Sequence, residues 1–419
     1  MHPMVLIVFL AVYGGLILGE IPGLRLDRAG IAILGAIALV ALGATTTTRA
    51  WAMVDVNTIA LLFGLMIVSA QFRLFGFYTW VSARLARGRQ TPGQLLALVV
   101  ALAGVLSALL ANDIVCLALA PLLVELARKK SLDPMPFLLG LACAANVGSA
   151  ATLIGNPQNM LIGQALKLSF GRYLLDGGVP ALLGLVLVWA VLARMWRGRW
   201  AGAAAGSRPE GEPFNRWQTL KAALVLAGVI AAFLFGPWPH GAVALAGAGL
   251  LLTSRHMASR EVLGLVDWQL LVMFMGLFVV NGALQEAGYS ARGLHQLSAS
   301  GLDLRSPLVL FGVTALLSNL VSNVPAVMLL LPAASHPSAG PILALASTFA
   351  GNFIIVGSIA NIIVVDQANR HGVRIDWRTH ARVGIPVTLG TLVLAGAWLG
   401  IRAQWPGPSP QLSLPSSAR

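Results

Sequence analysis

Charge is scarce in this chain. Asp, Glu, Lys and Arg make up 10% of its 419 residues, while 57% are hydrophobic. Soluble domains carry about a quarter charged residues, so an ordinary water-facing surface is excluded. Cysteine is nearly absent as well. Cys116 and Cys143 lie in apolar segments at no metal-ligand spacing, so they read as small buried residues rather than a disulfide framework or a zinc site. The seven histidines are scattered, with no metal cluster in view. No G-x-x-x-x-G-K-[ST] phosphate loop occurs, so the chain carries no ATPase of its own. Neither HExxH nor a Ser/His/Asp arrangement is visible, and no enzyme is expected. The net charge of +13 invites a nucleic-acid reading. That reading fails because the basic residues sit between apolar stretches rather than along one face.

What the chain does have is long apolar runs, many reaching the roughly 20 residues that cross a bilayer. Ten crossings and two hairpins can be read. The crossings of the first half are 4–20, 30–46, 57–76, 134–165 and 173–195. Those of the second are 217–235, 240–254, 267–286, 341–369 and 384–402. The segment 94–127 is interrupted by Ala111-Asn112-Asp113, and 306–334 by Ser318-Asn319 and Ser322-Asn323. Both read as re-entrant hairpins, since polar non-helical backbone at membrane depth survives only where protein or a water-filled cavity satisfies it. The first apolar segment lacks a basic n-region and a clear cleavage site, so it reads as a retained helix rather than a signal peptide. Residues 197–216 read as a cytoplasmic linker, 403–419 as a disordered tail, and YTWVSARLARGRQ after the third crossing as an amphipathic surface helix. Trp51, Trp196, Trp217, Trp238, Trp268 and Trp377 read as aromatic anchors near crossing ends.

The same pattern is written twice. Val54-Asp55 precedes Gly64-Leu65, Val68 and Gly76; Val266-Asp267 precedes Gly276-Leu277, Val280 and Gly288. Asn112 lies nine residues before Pro121, and Asn323 nine before Pro332. Gly155-Asn156-Pro157-Gln158-Asn159 is matched by Gly357-Ser358-Ile359-Ala360-Asn361. Paired breaks in the apolar segments of two halves point to the binding site of a secondary transporter. Arg25, Arg28, Arg84, Arg87, Arg89, Arg128, Lys129, Lys130 and the basic residues from Arg194 to Lys221 fall on one side of this topology, with Arg255, Arg260, Arg370, Arg374, Arg378 and Arg382. Far fewer fall on the other. The positive-inside rule then places both termini outside. Five crossings per half is odd, so the expectation is an all-α polytopic inverted repeat. Residues 1–196 form the first repeat and 217–402 the second, each with one re-entrant hairpin.

The candidate chemistry lies in the breaks. A carboxylate near the bilayer centre costs several kcal/mol unless paired, hydrated or protonated. Asp113 is therefore read as binding Na⁺, carrying a proton or opposing a cationic site, with helix capping as the structural alternative. Around Gly155, Pro157 removes a backbone donor and the chain can unwind. The carbonyls so released, with the Asn156 and Asn159 amides, are hard oxygen ligands suited to Na⁺. Ser149 and Thr152 add small polar groups. In the second half Ser322, Asn323, Gly357, Ser358 and Asn361 play the matching parts without a carboxylate at the tip. Asn112, Asp113, Asn156 and Asn159 are thus the candidate Na⁺ ligands, and the second set the substrate side. Ser318-Asn319 reads as support, and Asp55 and Asp267 as helix caps.

At these residues the chain resembles the ion-transporter superfamily of arsenite permeases, NhaD-type sodium/proton antiporters, citrate transporters and divalent-anion/sodium symporters. Ala111-Asn112-Asp113, Ser322-Asn323-Val324 and NVGSAATLIGNPQN at 146–159 carry the resemblance. It implies a scaffold, a transport part that moves like an elevator, and a homodimer. Divalent-anion symporters typically show Ser-Asn-Thr at both tips; here Ala-Asn-Asp looks more like the arsenite-permease branch. The expectation is a bacterial inner-membrane carrier of a small anion or oxyanion, coupled to H⁺ or Na⁺, with no other cofactor. Its alternatives are a Na⁺/H⁺ antiporter, an arsenite efflux permease and a passive channel.

Overall fold

A computed structural model describes residues 3–19, 26–202, 212–254 and 257–404. Most of the expected tail, the middle of the 197–216 linker, Arg25 and Arg255 lie outside these residues. The first half runs α1 (Pro3–Leu18), α2 (Arg28–Ala41), α3 (Thr47–Met53), α4 (Val56–Leu74), α5 (Phe77–Arg87), α6 (Pro92–Leu109), α7 (Asn112–Lys129), α8 (Met135–Ser149), α9 (Pro157–Ala165) and α10 (Phe170–Met195). The second half repeats the succession: α11 (Arg216–Phe235), α12 (His240–Leu252), α13 (Ser259–Leu263), α14 (Trp268–Glu286), α15 (Tyr289–Ala299), α16 (Pro307–Val321), α17 (Asn323–Leu330), α18 (Ala339–Ala350), α19 (Ile359–Arg370) and α20 (Trp377–Ala403). No β-strand occurs among the described residues.

The repeated sequence motif now has a physical meaning. Asp55 caps α4, accepting from the Asn57 and Thr58 amides at 3.0 and 3.2 Å. Asp267 caps α14, accepting from the Leu270 amide at 2.9 Å. One glycine in each helix then lets another helix cross closely. A Cβ on Gly64 would stand 2.6 Å from the Ala244 backbone of α12, and a Cβ on Gly276 2.6 Å from the Ala32 backbone of α2. Small residues at such crossings let two backbones approach. Gly76 and Gly288 close the motif with φ of 68° and 79°, the left-handed turn that starts α5 and α15. The crossing glycines tolerate nothing larger. Gly64→Val is expected to cost about 1–3 kcal/mol or more through overpacking, read as a lower unfolding temperature and loss of a monodisperse peak in detergent.

Six described helices are long and apolar enough to span a membrane: α4, α6, α10, α11, α14 and α20. Large apolar side chains stay exposed on several of them, including Leu224 and Phe235 of α11 and Val393 of α20. Hydrocarbon is the medium that accepts such a surface. By contrast α8 is buried from Pro136 to Ser149, and α18 along its whole length. These two form the centre, flanked by the hairpin arms α6 and α16 and by α10 and α20.

Several boundaries depart from the sequence reading. The expected crossing 30–46 stops at Ala41, because Gly43 turns with φ of 70° and Thr46 already caps α3. The expected crossing 240–254 ends at Leu252. Ser318-Asn319 does not interrupt its hairpin. Both residues stay helical because Asn319 Nδ2 donates back to Ala315 O at 3.1 Å and Ser318 Oγ reaches Ser347 O at 2.9 Å. The break falls on Ser322 alone, at φ 76°. In the first hairpin the gap is Leu110-Ala111, so Asn112 and Asp113 open α7 instead of lying in the turn. Trp51, Trp217, Trp238, Trp268 and Trp377 are exposed, whereas Trp196 is half-buried and donates to Asp133 Oδ2 at 3.0 Å. The expected amphipathic helix is α5; its counterpart α15 escaped the sequence reading.

Candidate functional site

The two broken helices clasp each other. The first leaves α8 at Ser149 and resumes at Pro157, the first residue of α9. Asn156 caps that restart by accepting from the Asn159 amide at 2.9 Å. A proline suits the first helical position because its missing N–H would have no partner there. Gly155 passes so close to the end of α8 that a Cβ would stand 2.2 Å from Ser149 O. The second leaves α18 at Ala350 and resumes after Ser358. Across the interface Asn156 Nδ2 donates to Thr348 Oγ1 at 3.2 Å, and Ser358 Oγ donates to Asn146 Oδ1 at 2.7 Å. The offset that carries Asn159 onto Asn361 also carries Asn156 onto Ser358 and Asn146 onto Thr348. The two cross-ties are therefore images of one another.

The same correspondence holds within each break. Asn159 Nδ2 donates to the carbonyls of Ser149 and Thr152 at 3.4 and 2.9 Å. Asn361 Nδ2 donates to those of Gly351 and Ile354 at 2.8 and 3.3 Å. Each asparagine pins the unwound carbonyls of its own break. Asn146 Nδ2 adds bonds to Asn352 Oδ1 at 2.8 Å and Asn361 Oδ1 at 3.1 Å. Asn352 O in turn meets His380 Nε2 of α20 at 3.0 Å.

The hairpin tips dock against these breaks. Thr152 Oγ1 donates to Ala108 O at 2.6 Å, and Ser69 Oγ accepts from the Ala111 amide at 3.1 Å. The first tip is thus held between α4 and the first break. At the second tip the Asn323 amide, turned with its nitrogen toward the carbonyls, donates to Gly357 O at 3.2 Å and Ser347 O at 3.1 Å. Its oxygen then accepts from Gln158 Nε2 at 3.3 Å, and its nitrogen also lies against Ser318 Oγ. Gln158 also donates to Thr348 Oγ1 at 3.1 Å.

Two cavities border the tips. The first is small, about 30 Å³, and Asn112, Asp113, Asn156 and Pro157 line it. Its other walls are apolar, apart from one further carboxylate, Asp267. The second is a cleft of about 560 Å³ that reaches Ser322, Val356, Ile359, Arg28 and the same Asp267. The expected residues therefore divide. Asn112, Asp113 and Asn156 share one cavity, and Ser322 lines the other. Ser149, Thr152, Gly155, Asn159, Gly357, Ser358 and Asn361 build the breaks behind them, and Asn323 opens the second tip's returning helix, without lining either. Among the described residues no three His, Cys, Asp or Glu side chains form a metal-holding group.

The sequence reading missed Thr348, Asn352, Gln158 and the second role of Asp267. Carrying Asn146 across the aligned breaks would have found Thr348. Asp267 was legible only as a cap, since nothing local says which helix end faces the first hairpin tip.

A family model described as citrate transporter matches residues 4–350. The 46 kDa membrane protein of Mycobacterium leprae is 31% identical over 373 residues, covering 83% of this chain and 87% of its own. The silicon efflux transporter LSI3 of Oryza sativa subsp. japonica is 28% identical, with 88% of this chain and 92% of its own covered. The crystal structure of the YdaH transporter of Alcanivorax borkumensis, described as having an unusual topology, matches with a TM-score of 0.60 at 18% identity. That match covers 97% of this chain and 100% of the other, and at such identity it is a likeness of fold.

Proposed function

Because this chain belongs to the citrate transporter family and is a multi-pass membrane transporter, we propose that it is a secondary active carrier of a small anion or oxyanion, coupled to Na⁺ or H⁺. The observation that carries this reading is the reciprocal clasp, Asn156 on Thr348 and Ser358 on Asn146, with a hairpin tip against each break. Carriers of this kind bind solute at discontinuous helices near the midplane, where helix ends and unwound carbonyls supply partial charges of both signs. Here the start of α9 offers a positive helix end and the breaks offer carbonyls.

The halves, 1–196 and 217–402, are read as an inverted repeat, with 197–216 joining them on the cytoplasmic side. The ten-element succession and the image-related contacts support that arrangement. Orientation in a bacterial inner membrane, with both termini outside, follows from the loop charge. The hairpins and broken helices, with α10 and α20, form the part that moves; α1, α2, α4, α11, α12 and α14 form the scaffold. Two copies would pair through the scaffold. Asn112, Asp113, Asn156 and Asn159 belong to the coupling-ion side, and Ser322, Asn323, Gly357, Ser358 and Asn361 to the substrate side. A Na⁺/H⁺ antiporter is the second reading, favoured by the carboxylate at one tip only. The names of the family and of the plant relative, citrate and silicon efflux, leave both the solute and the direction of transport open.

The test is purified protein in liposomes loaded with a pH-sensitive dye. Na⁺ is added first, then arsenite, sulfate, phosphate and dicarboxylates in turn at constant Na⁺. A saturable response to one anion, by pH change or by uptake of the labelled anion, is expected. A pH change on Na⁺ alone would replace the anion carrier with the antiporter, and unsaturable, ungradiented flux would indicate a channel.

A further inference from the structure

A cleft of about 640 Å³ lies away from both hairpin tips, where the corner between α4 and α5 faces the returning arm of the first hairpin. Small-molecule sites commonly measure about 300–1,000 Å³. Arg73 of α4 and Tyr78 and Thr79 of α5 supply polar groups on one wall. Leu117, Ala118, Pro121 and Leu122 of α7 make the facing wall apolar. In the proposed orientation the cleft sits at the cytoplasmic end of α4.

Three features of the corner point to one kind of ligand. Arg73 is half-buried and forms neither an ion pair nor a hydrogen bond among the described residues. A basic residue in the last turn of a helix complements its negative end, which accounts for the charge but not for its neighbours. Tyr78 is only 2% exposed, interacts electrostatically with Arg73, and leaves its hydroxyl without a hydrogen-bond partner. Buried hydroxyls are normally partnered, so an acceptor is missing beside a cation. Finally, α5 starts here. Gly76 turns the chain with φ of 68° and offers no side chain to cap the helix. An uncapped helix start presents free N–H groups and a partial positive charge, which favour an anion.

We infer that this cleft binds an oxyanion, a phosphate or carboxylate group, with Arg73 as its charge partner and the Tyr78 and Thr79 hydroxyls as donors. The α7 wall accommodates an apolar body on the same ligand. The oxyanion therefore belongs either to a free anion or to a lipid headgroup. Glu212 borders the cleft and opposes an anion. It is exposed, so water and salt screen it more than they screen Arg73. An occupant touches both the α4–α5 corner and the hairpin arm, and so holds the hairpin where it stands. That restraint rests on the proposed function, in which the hairpin moves; the binding does not.

The experiment uses the purified full-length protein in detergent, with unfolding temperature as the readout. Potassium phosphate is titrated against KCl at equal ionic strength, and dioleoylphosphatidylglycerol against dioleoylphosphatidylcholine. A saturable rise is expected, as a ligand of the folded state gives. A rise with phosphate assigns a free anion; a rise with the anionic lipid alone assigns a headgroup. Arg73→Gln is expected to weaken half-saturation about 10- to 100-fold, as loss of a charged hydrogen-bond partner does. Tyr78→Phe loses no hydrogen bond within the protein and is expected to weaken it about 3- to 10-fold. Glu212→Gln is expected to strengthen it. Arg84→Gln, whose guanidinium lies over the Trp80 ring outside the cleft, is expected to change nothing. A response that survives Arg73→Gln belongs elsewhere, the hairpin tips included, and would overturn the site. So would equal responses to the two lipids, or silence with every probe. In liposomes the effective probe is expected to slow solute uptake by the wild type and not by Arg73→Gln; equal uptake would overturn the restraint. Binding without any solute flux would sink the carrier reading and leave the site standing.

Discussion

Asp113→Asn is expected to give a folded protein that no longer concentrates its solute. The substitution is isosteric, and the residue sits in the first turn of α7 without a hydrogen bond to lose. Stability should therefore hold, or improve slightly, because burying an ionised carboxylate is expensive. Under the proposed function, what disappears is the charge on the coupling-ion side. Gradient-driven uptake in proteoliposomes is expected to fall about 100-fold, equivalent to about 2.8 kcal/mol of ion affinity. Asp55→Asn is the control: it keeps the cap of α4 and lines neither of the two cavities at the hairpin tips. Uptake through Asp113→Asn at the wild-type rate and with the wild-type ion dependence would remove Asp113 from the site.

The second large effect is structural. Asn146 is the hub of the clasp: its amide donates to Asn352 and Asn361 and accepts from Ser358. Asn146→Ala strands all three partners in a fully buried setting. Each unsatisfied buried polar group costs about 1–3 kcal/mol, so the loss is expected to reach about 3 kcal/mol or more. The readout is a drop in unfolding temperature and in the yield of monodisperse protein. Thr348→Ala is the measured comparison. Its hydroxyl accepts from Asn156 and Gln158, and each of those amides has another partner nearby: Ser149 Oγ for Asn156, at 3.0 Å, and Asn323 for Gln158. Thr348→Ala is therefore expected to cost less than half as much. Equal losses would mean that the clasp is held by packing of α8 on α18 rather than by its asparagines.

Much of this architecture was legible in the residues because its causes are local. Apolar runs of membrane-spanning length, Asp at helix starts, Gly at turns and Pro157 in a break each act within a few positions. Their recurrence in the same order revealed two matched halves before any contact was known. The misplaced boundaries have local causes too. Ser318-Asn319 looks like a breaker in sequence, yet both side chains find hydrogen-bond partners that leave the helix intact. The turn falls at Ser322, the other interruption read in the sequence, where the backbone takes a positive φ.

The sequence by itself determined where the chain can be helical, where it must break, and that polar groups would gather at the breaks. It did so because helix propensity, capping and hydropathy depend on neighbours in the chain. Only the tertiary structure decided which polar groups meet. Asn146 and Ser358 stand far apart in sequence and 2.7 Å apart in space. Asp113 and Asp267 come from different halves and line one cavity. Such pairings depend on how α8 packs against α18 and α19 and on how the hairpin tips seat against the breaks. Those are properties of packed surfaces, and spacing along the chain does not encode them.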